Sequence, residues 1–345
     1  MTTIEVKDLA TAPLIEMVRD EGGRVDTIAS PPGAPAIELV RIDEVHYVPS
    51  VLGVGQSLQI ARGRYLPIEA VFDDWIAEFV SSRVLEKGVA TFDDFADSGH
   101  AGDVCVLGNV FSRNFTHWHE ELMKVVVLEQ AGIDCAYVVS GLPKFARALL
   151  ELIGIPAGRI LEITAPTRFR NALYTTPVSY RNVADHPAVL LALRDRMLQV
   201  DVSGQPVHGE RLWLDRGEQT RLGRKLVNVD EVHRLLERYG FQRLDMGALP
   251  VEGQIAVARG MRVLAGLHGS QFVHSQLMAP RSTVIECFSP LWLNPTYTNI
   301  YRVLRHRYSQ LTSTNMLPLF PDPYAGDVFV DCQQLDLALQ LATDA

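Results

Sequence analysis

Met261-Arg262-Val263-Leu264-Ala265-Gly266-Leu267-His268-Gly269-Ser270 is an apolar run that stops at a histidine, a glycine and a small hydroxyl residue. The pattern predicts a buried strand over Met261 to Leu267 and a short helix over Ser270 to Met278. Upstream, Pro250 to Arg259 carries a helical pattern closed by Gly260, while Gln242 to Met246 and Arg211 to Asp215 are strand-like. Between those strands, Asn228 with Glu231 marks a capping-box-like helix start that ends at Gly240. Downstream, Thr283 to Phe288 is a further strand. Four strands joined by three crossovers predict a parallel, Rossmann-like sheet. Ligands bind such sheets at the carboxyl ends of the strands, so the residues after Trp213, after Val263 and near Ile285 become candidates.

The first half alternates in the same way. Val104 to Leu107 is strand-like, Phe115 to Ala131 helical, Cys135 to Ser140 strand-like and Leu142 to Ile153 helical. A helical pattern through Leu190, Leu191, Leu193 and Met197 loosens at Ser203-Gly204-Gln205-Pro206, where a domain boundary is expected. The fold class is therefore α/β, with two Rossmann-like domains over 1–202 and 203–320. The tail, 321–345, is expected to pack back on the first domain. The first 35 residues, up to Pro31-Pro32-Gly33-Ala34-Pro35, are expected to be loosely attached. With 345 residues, 47% of them hydrophobic, the chain can bury two cores of this size.

Composition narrows the partners. The net charge of -9 opposes binding to nucleic acid or to an anionic membrane surface, both of which need a basic face. Cys105, Cys135, Cys287 and Cys332 are widely spaced and sit in apolar runs, which points to buried thiols in a reducing compartment. The start lacks a signal-peptide pattern, and no stretch of about 20 residues is free of charge, so no transmembrane helix is predicted. A cytoplasmic protein is the expectation.

Four constellations carry chemistry. Arg211, Arg216, Arg221, Arg224 and Lys225 stand against Asp215 and Glu218 in an otherwise acidic chain. Guanidinium forks at a strand end suit a diphosphate, although a solvated basic loop has the same composition. In the second, Gly269 lets backbone approach a ligand, amides at the start of the Ser270 helix favour a phosphate, and His268 can donate a hydrogen bond. An ordinary strand-to-helix turn has the same residues. In the third, Glu286 falls within a buried strand and needs donors, which ribose hydroxyls or a structural ion pair would supply. The fourth is Asn114-Phe115-Thr116-His117-Trp118-His119-Glu120-Glu121. There Asn114 caps a helix, Phe115, Trp118, Leu122 and Val125 form its buried face, and His117 and Glu121 share another face. His117, His119, Glu120 and Glu121 do not fall on one face, so no metal site is predicted.

Taken in order, these pieces resemble the family 61 glycosyltransferases, which include bacterial capsule and lipopolysaccharide enzymes, plant xylosyltransferases and animal O-linked N-acetylglucosaminyltransferases. The matching residues are Asn114, His117, Glu120 and Glu121, then Arg216, Arg224, Asn228-Val229-Asp230-Glu231, Gln254, His268-Gly269 and Glu286, over roughly residues 40 to 320. The fourth position of the His-Gly turn departs, with Gln271 where many relatives have glycine. His119 also stands where many bacterial members are apolar. The missing secretory or membrane anchor resembles the bacterial members.

The resemblance implies a GT-B enzyme of inverting mechanism. It places a nucleotide sugar, usually UDP-linked, on the second domain through Arg216, Arg224, Lys225, His268, Gly269, Ser270, Gln271 and Glu286. It places an acceptor hydroxyl on the first, at Asn114 and His119. Glu121 is the expected base, His117 its rival, and Glu120 an acceptor contact. No metal and no cofactor are expected, because positive side chains and amides can stabilise the leaving diphosphate and no Asp-x-Asp pair occurs. A dinucleotide oxidoreductase is opposed because Gly53 and Gly55 lack a third glycine, and a serine hydrolase because there is no Gly-x-Ser-x-Gly. A non-catalytic or regulatory sugar-nucleotide-binding protein is the remaining alternative.

Overall fold

A computed structural model describes residues 7–28, 36–51, 56–61, 65–68, 95–108, 115–140, 145–176, 178, 186–216, 225–290, 293–312 and 327–344. The chain divides into two compact units, Met1–Arg196 and Met197–Ala345.

The described part of the first unit is a mixed α/β structure with two six-stranded sheets. One contains a parallel core in the order Ile160–Ile163, Ala136–Ser140, Val104–Val106, Ala172–Thr175. The expected Val104 and Cys135 strands lie here. Ile37–Ile42 and Val25–Ile28 extend that sheet antiparallel. The other sheet is built largely from the hairpins of Val45–Val51, Gln56–Ala61 and Tyr65–Ile68. The expectation of a single parallel sheet is corrected in this respect. Its reason lies in the links, because the few residues between these strands cannot hold the helical crossover that parallel pairing requires. Leu14, Ile15 and Val18 of the helix Thr11–Asp20 pack with Val40, Ile42, Val104, Val138 and Tyr174 into one core. Residues 7–28 therefore include an integral helix, where a loose N-terminal segment was expected.

The helix Phe115–Gln130 follows the Val104 strand. Every residue from Glu121 to Leu128 is buried, so the helix is covered on more than the one face that its Phe115, Trp118, Leu122 and Val125 spacing marks.

In the second unit, five strands pair in parallel in the order Gln242–Asp245, Arg211–Asp215, Val263–Leu267, Thr283–Phe288, Arg307–Thr312. The Val263 and Thr283 strands are buried at every position, as a sheet covered on both faces requires. Arg307–Thr312 was not read as a strand; its edge position lets it stay polar and half exposed. Gly266 is set by strand pairing, since a Cβ there would lie 2.9 Å from the backbone oxygen of Leu214.

Two local expectations are corrected. The helix after the His-Gly turn is a 3-10 helix, Ser270–Leu277, with tighter turns than an α-helix. Asn228 precedes the helix Val229–Arg238 but makes no capping bond. Its side chain instead donates to Val330 O at 2.8 Å and accepts from Val330 N at 3.0 Å, binding the tail to the sheet. The tail helix Cys332–Thr343, capped by Asp331 through Gln333 N at 2.9 Å, adds Leu335, Ala338, Leu339 and Ala342 to the second unit's own core.

Candidate functional site

In chain order, the second unit's strands run 2-1-3-4-5, so the winding direction reverses between Arg211–Asp215 and Val263–Leu267. Strand ends at such a reversal leave a crevice, because their connections depart to opposite faces. Arg216 leaves the first of these strands, and His268-Gly269 leaves the second.

The Nη1 group of Arg216 donates to the backbone oxygen of His268 at 2.9 Å. Its guanidinium lies against Gly269, where a Cβ would approach Cζ and Nη1 to 3.4 Å. Burial strips water from this cation and lowers its pKa from the ordinary arginine value. Arginine stays charged nonetheless. Among the described residues no carboxylate pairs with it. A desolvated cation without a counter-charge among the described residues is costly to bury.

Gln271 joins the same two strand ends, its Nε2 donating to Leu214 O at 2.9 Å and Leu267 O at 3.4 Å. Ser270 is exposed beside it.

Behind this turn lies a buried polar network. Nδ1 of His268 is 2.5 Å from Oε1 of Glu286, which is 1% exposed. Oε2 of Glu286 accepts from the hydroxyls of Tyr301 at 3.1 Å and Tyr308 at 3.2 Å. Phe288 stacks on the imidazole at 4.6 Å, and Tyr297 packs at 5.7 Å. Donors from the protein thus meet the need that pointed to ribose hydroxyls at Glu286. Tyr301 and Tyr308 were not found from sequence. The signal available was a pair of tyrosines seven residues apart around Arg305, near a strand carrying a lone carboxylate.

The basic cluster divides. Arg221 and Arg224 lie outside the described residues. Lys225 is exposed and runs beside residues 327 and 328, with its N–H donating to Oδ1 of Asp327 at 2.9 Å and its carbonyl accepting from Val328 N at 2.8 Å. Arg211 donates to Tyr239 O at 3.1 Å.

In the first unit, Asn114 lies outside the described residues, as does the side chain of His117. His119 and Glu121 are buried, whereas Glu120 is half-buried. Glu121 is thus withdrawn from solvent, and Glu120 is the more accessible of the pair. Oε2 of Glu121 accepts from Nζ of Lys124 at 2.9 Å, a buried ion pair within one helical turn.

Among the described residues, no three His, Cys, Asp or Glu side chains group as ligands for a metal ion. No helix among them is long and apolar enough to cross a membrane. A family model described as Glycosyltransferase 61 matches residues 75–285, which takes in the helix of Glu120 and Glu121, Arg216 and His268 and ends one residue before Glu286. No curated protein matches the chain.

Proposed function

The chain belongs to glycosyltransferase family 61 and is a glycosyltransferase, and we propose that it moves a sugar from a UDP-linked donor to an acceptor hydroxyl, with inversion and without a metal ion. The second unit is the donor unit and the first the acceptor unit of a GT-B enzyme. The observation that carries this reading is Arg216, a desolvated guanidinium at the reversal of a parallel sheet, without a carboxylate partner among the described residues. A diphosphate supplies the missing charge and accepts from the N–H groups that His268 O leaves. Arg224 and Lys225 are assigned to the same diphosphate.

On the acceptor side, the base is Glu120, with His117 kept as its rival from the sequence. Glu121 was the first choice from sequence, but its carboxylate is committed to Lys124. As the acceptor oxygen bonds to the anomeric carbon, its proton passes to the base and the bond to the diphosphate breaks. The negative charge then gathers on an oxygen facing Arg216, where positive charge and amides stabilise it without a metal.

The test is release of UDP from a panel of UDP-sugars in the presence of EDTA, with and without glycan acceptors. Turnover of at least one donor in EDTA is expected. Activity that requires added manganese or magnesium, or turnover confined to sugars on another nucleotide, overturns the reading.

A further inference from the structure

The segment between Glu252 and Asp322 contains six arginines, no lysine and one acid, Glu286, which is buried in the sheet. The fold brings four of those arginines to one place. Arg262 stands before the strand Val263–Leu267, Arg281 two residues before Thr283–Phe288, and Arg305 and Arg307 at the start of Arg307–Thr312. Backbone bonds tie these starts together: Thr283 N–H donates to Arg262 O at 2.9 Å, Arg307 N–H to Ser282 O at 2.9 Å, and Arg281 N–H to Leu304 O at 3.0 Å. Three neighbouring parallel strands therefore begin at arginines, across a width of about 10 Å.

All four side chains are exposed, and among the described residues no carboxylate pairs with any of them. Arg302, also exposed on the last turn of the helix Thr298–Leu304, donates to Asn299 Oδ1 at 2.7 Å, a neutral acceptor that leaves its charge uncompensated. Glu210, the exposed acid beside Arg262, meets it through backbone alone. The backbone adds an independent observation. Arg281, with φ 66°, and Arg305, with φ 55°, are the two non-glycine residues in left-handed backbone among the described ones. Glycine takes that conformation without steric cost, and Arg305 occupies a helix C-cap, where glycine is the usual residue. Two arginines are thus kept where the backbone favours having no side chain, which points to a use for their charge.

We propose that this end of the second unit docks on an anionic phospholipid surface. The arginines are exposed and spread across strand ends, so they suit many phosphates in a plane rather than one in a pocket, and each guanidinium fork can bond a separate headgroup phosphate. They lie at the amino ends of the strands, roughly 15 Å from the carboxyl ends where Arg216 and the His268 turn sit. Docking there leaves the crevice open and is independent of what the crevice binds. Averaged over the chain, a net charge of -9 opposes an anionic surface. Exposed charges more than about 8 Å away are largely screened at physiological ionic strength, so the arginines at the contact decide. Nucleic acid fits less well, because the exposed large hydrophobic residues among the described ones are aliphatic and offer unpaired bases no ring to stack on.

The experiment is co-sedimentation of the full chain with vesicles of phosphatidylcholine alone and of phosphatidylcholine with about one-third phosphatidylglycerol, at low salt. The wild type is expected to bind the phosphatidylglycerol vesicles only, and to be released as salt is raised. Arg281→Gly/Arg305→Gly removes two charges and relaxes the left-handed backbone, so its melting temperature is expected to stay near that of the wild type while vesicle binding weakens about tenfold or more. Arg262→Gln/Arg307→Gln, which leaves the backbone as it is, is expected to lose as much. Failure of the wild type to bind, or wild-type binding by both folded variants, overturns the proposal. So does a preference of the wild type for duplex DNA over the vesicles at the same salt, which marks a nucleic-acid face. Displacement from the vesicles by inorganic phosphate at constant ionic strength marks a site for a single phosphate and overturns it as well.

Discussion

At the scale of single residues, the buried pair of Glu121 and Lys124 separates structure from catalysis. Both side chains are almost completely withdrawn from water, so each is the other's counter-charge. Removing one partner leaves an uncompensated buried ion, which costs about 3 to 5 kcal/mol. Glu121→Gln is therefore expected to lower stability by that order, and Glu121→Gln combined with Lys124→Met to recover most of it, as read by chemical denaturation. If Glu121→Gln is stable and yet inactive, Glu121 is the base and Glu120 is not. The residue types of this site were legible in the sequence, but their faces were not. Met123, Val126, Val127 and Leu128 are also buried, and a helix covered on several sides hides charged residues that the spacing of one apolar stripe places outside. The roles of Tyr301 and Tyr308 were likewise invisible, because both are set by contacts across strands distant in sequence.

At the scale of elements, the 3-10 helix Ser270–Leu277 is the least conventional part of the second unit. It is buried along most of its length, including His274. Burial lowers the His274 pKa from its ordinary value to about 3. The unfolded chain takes up a proton there near pH 6.5, and the folded chain resists it. Between about pH 6.5 and 3 the unfolded state thus binds more protons, so this residue makes stability fall as pH falls, by about 1.4 kcal/mol per pH unit. His274→Gln is expected to flatten the slope of unfolding free energy against pH from 7 down to 4. A slope identical to the wild type contradicts a neutral buried imidazole. The strands Arg211–Asp215 and Thr283–Phe288 were readable to the residue because each is an apolar run with clear punctuation. The edge strand Arg307–Thr312 carries no such run, and the hairpins between residues 37 and 68 lack the long links by which crossovers announce themselves.

At the scale of the molecule, a net charge of -9 argues against extended anionic partners, yet it says nothing about one buried cation. The distinction matters for the donor site. Long-range attraction of a diphosphate is weak in an acidic protein, so the proposed donor site relies on short, charge-assisted hydrogen bonds at the reversal of the second sheet. The positions of Arg216 and His268 at strand ends followed from the punctuation between the strands, whereas the topological reversal came from the strand order of the folded chain. The bracing beneath His268 came only from the folded chain. The most direct measurement is calorimetric titration of UDP into the wild-type protein and Arg216→Ala. The account predicts binding to the wild type and a loss of about 1.5 to 3 kcal/mol in the variant, at least tenfold in affinity. Equal affinity in the two proteins would contradict it.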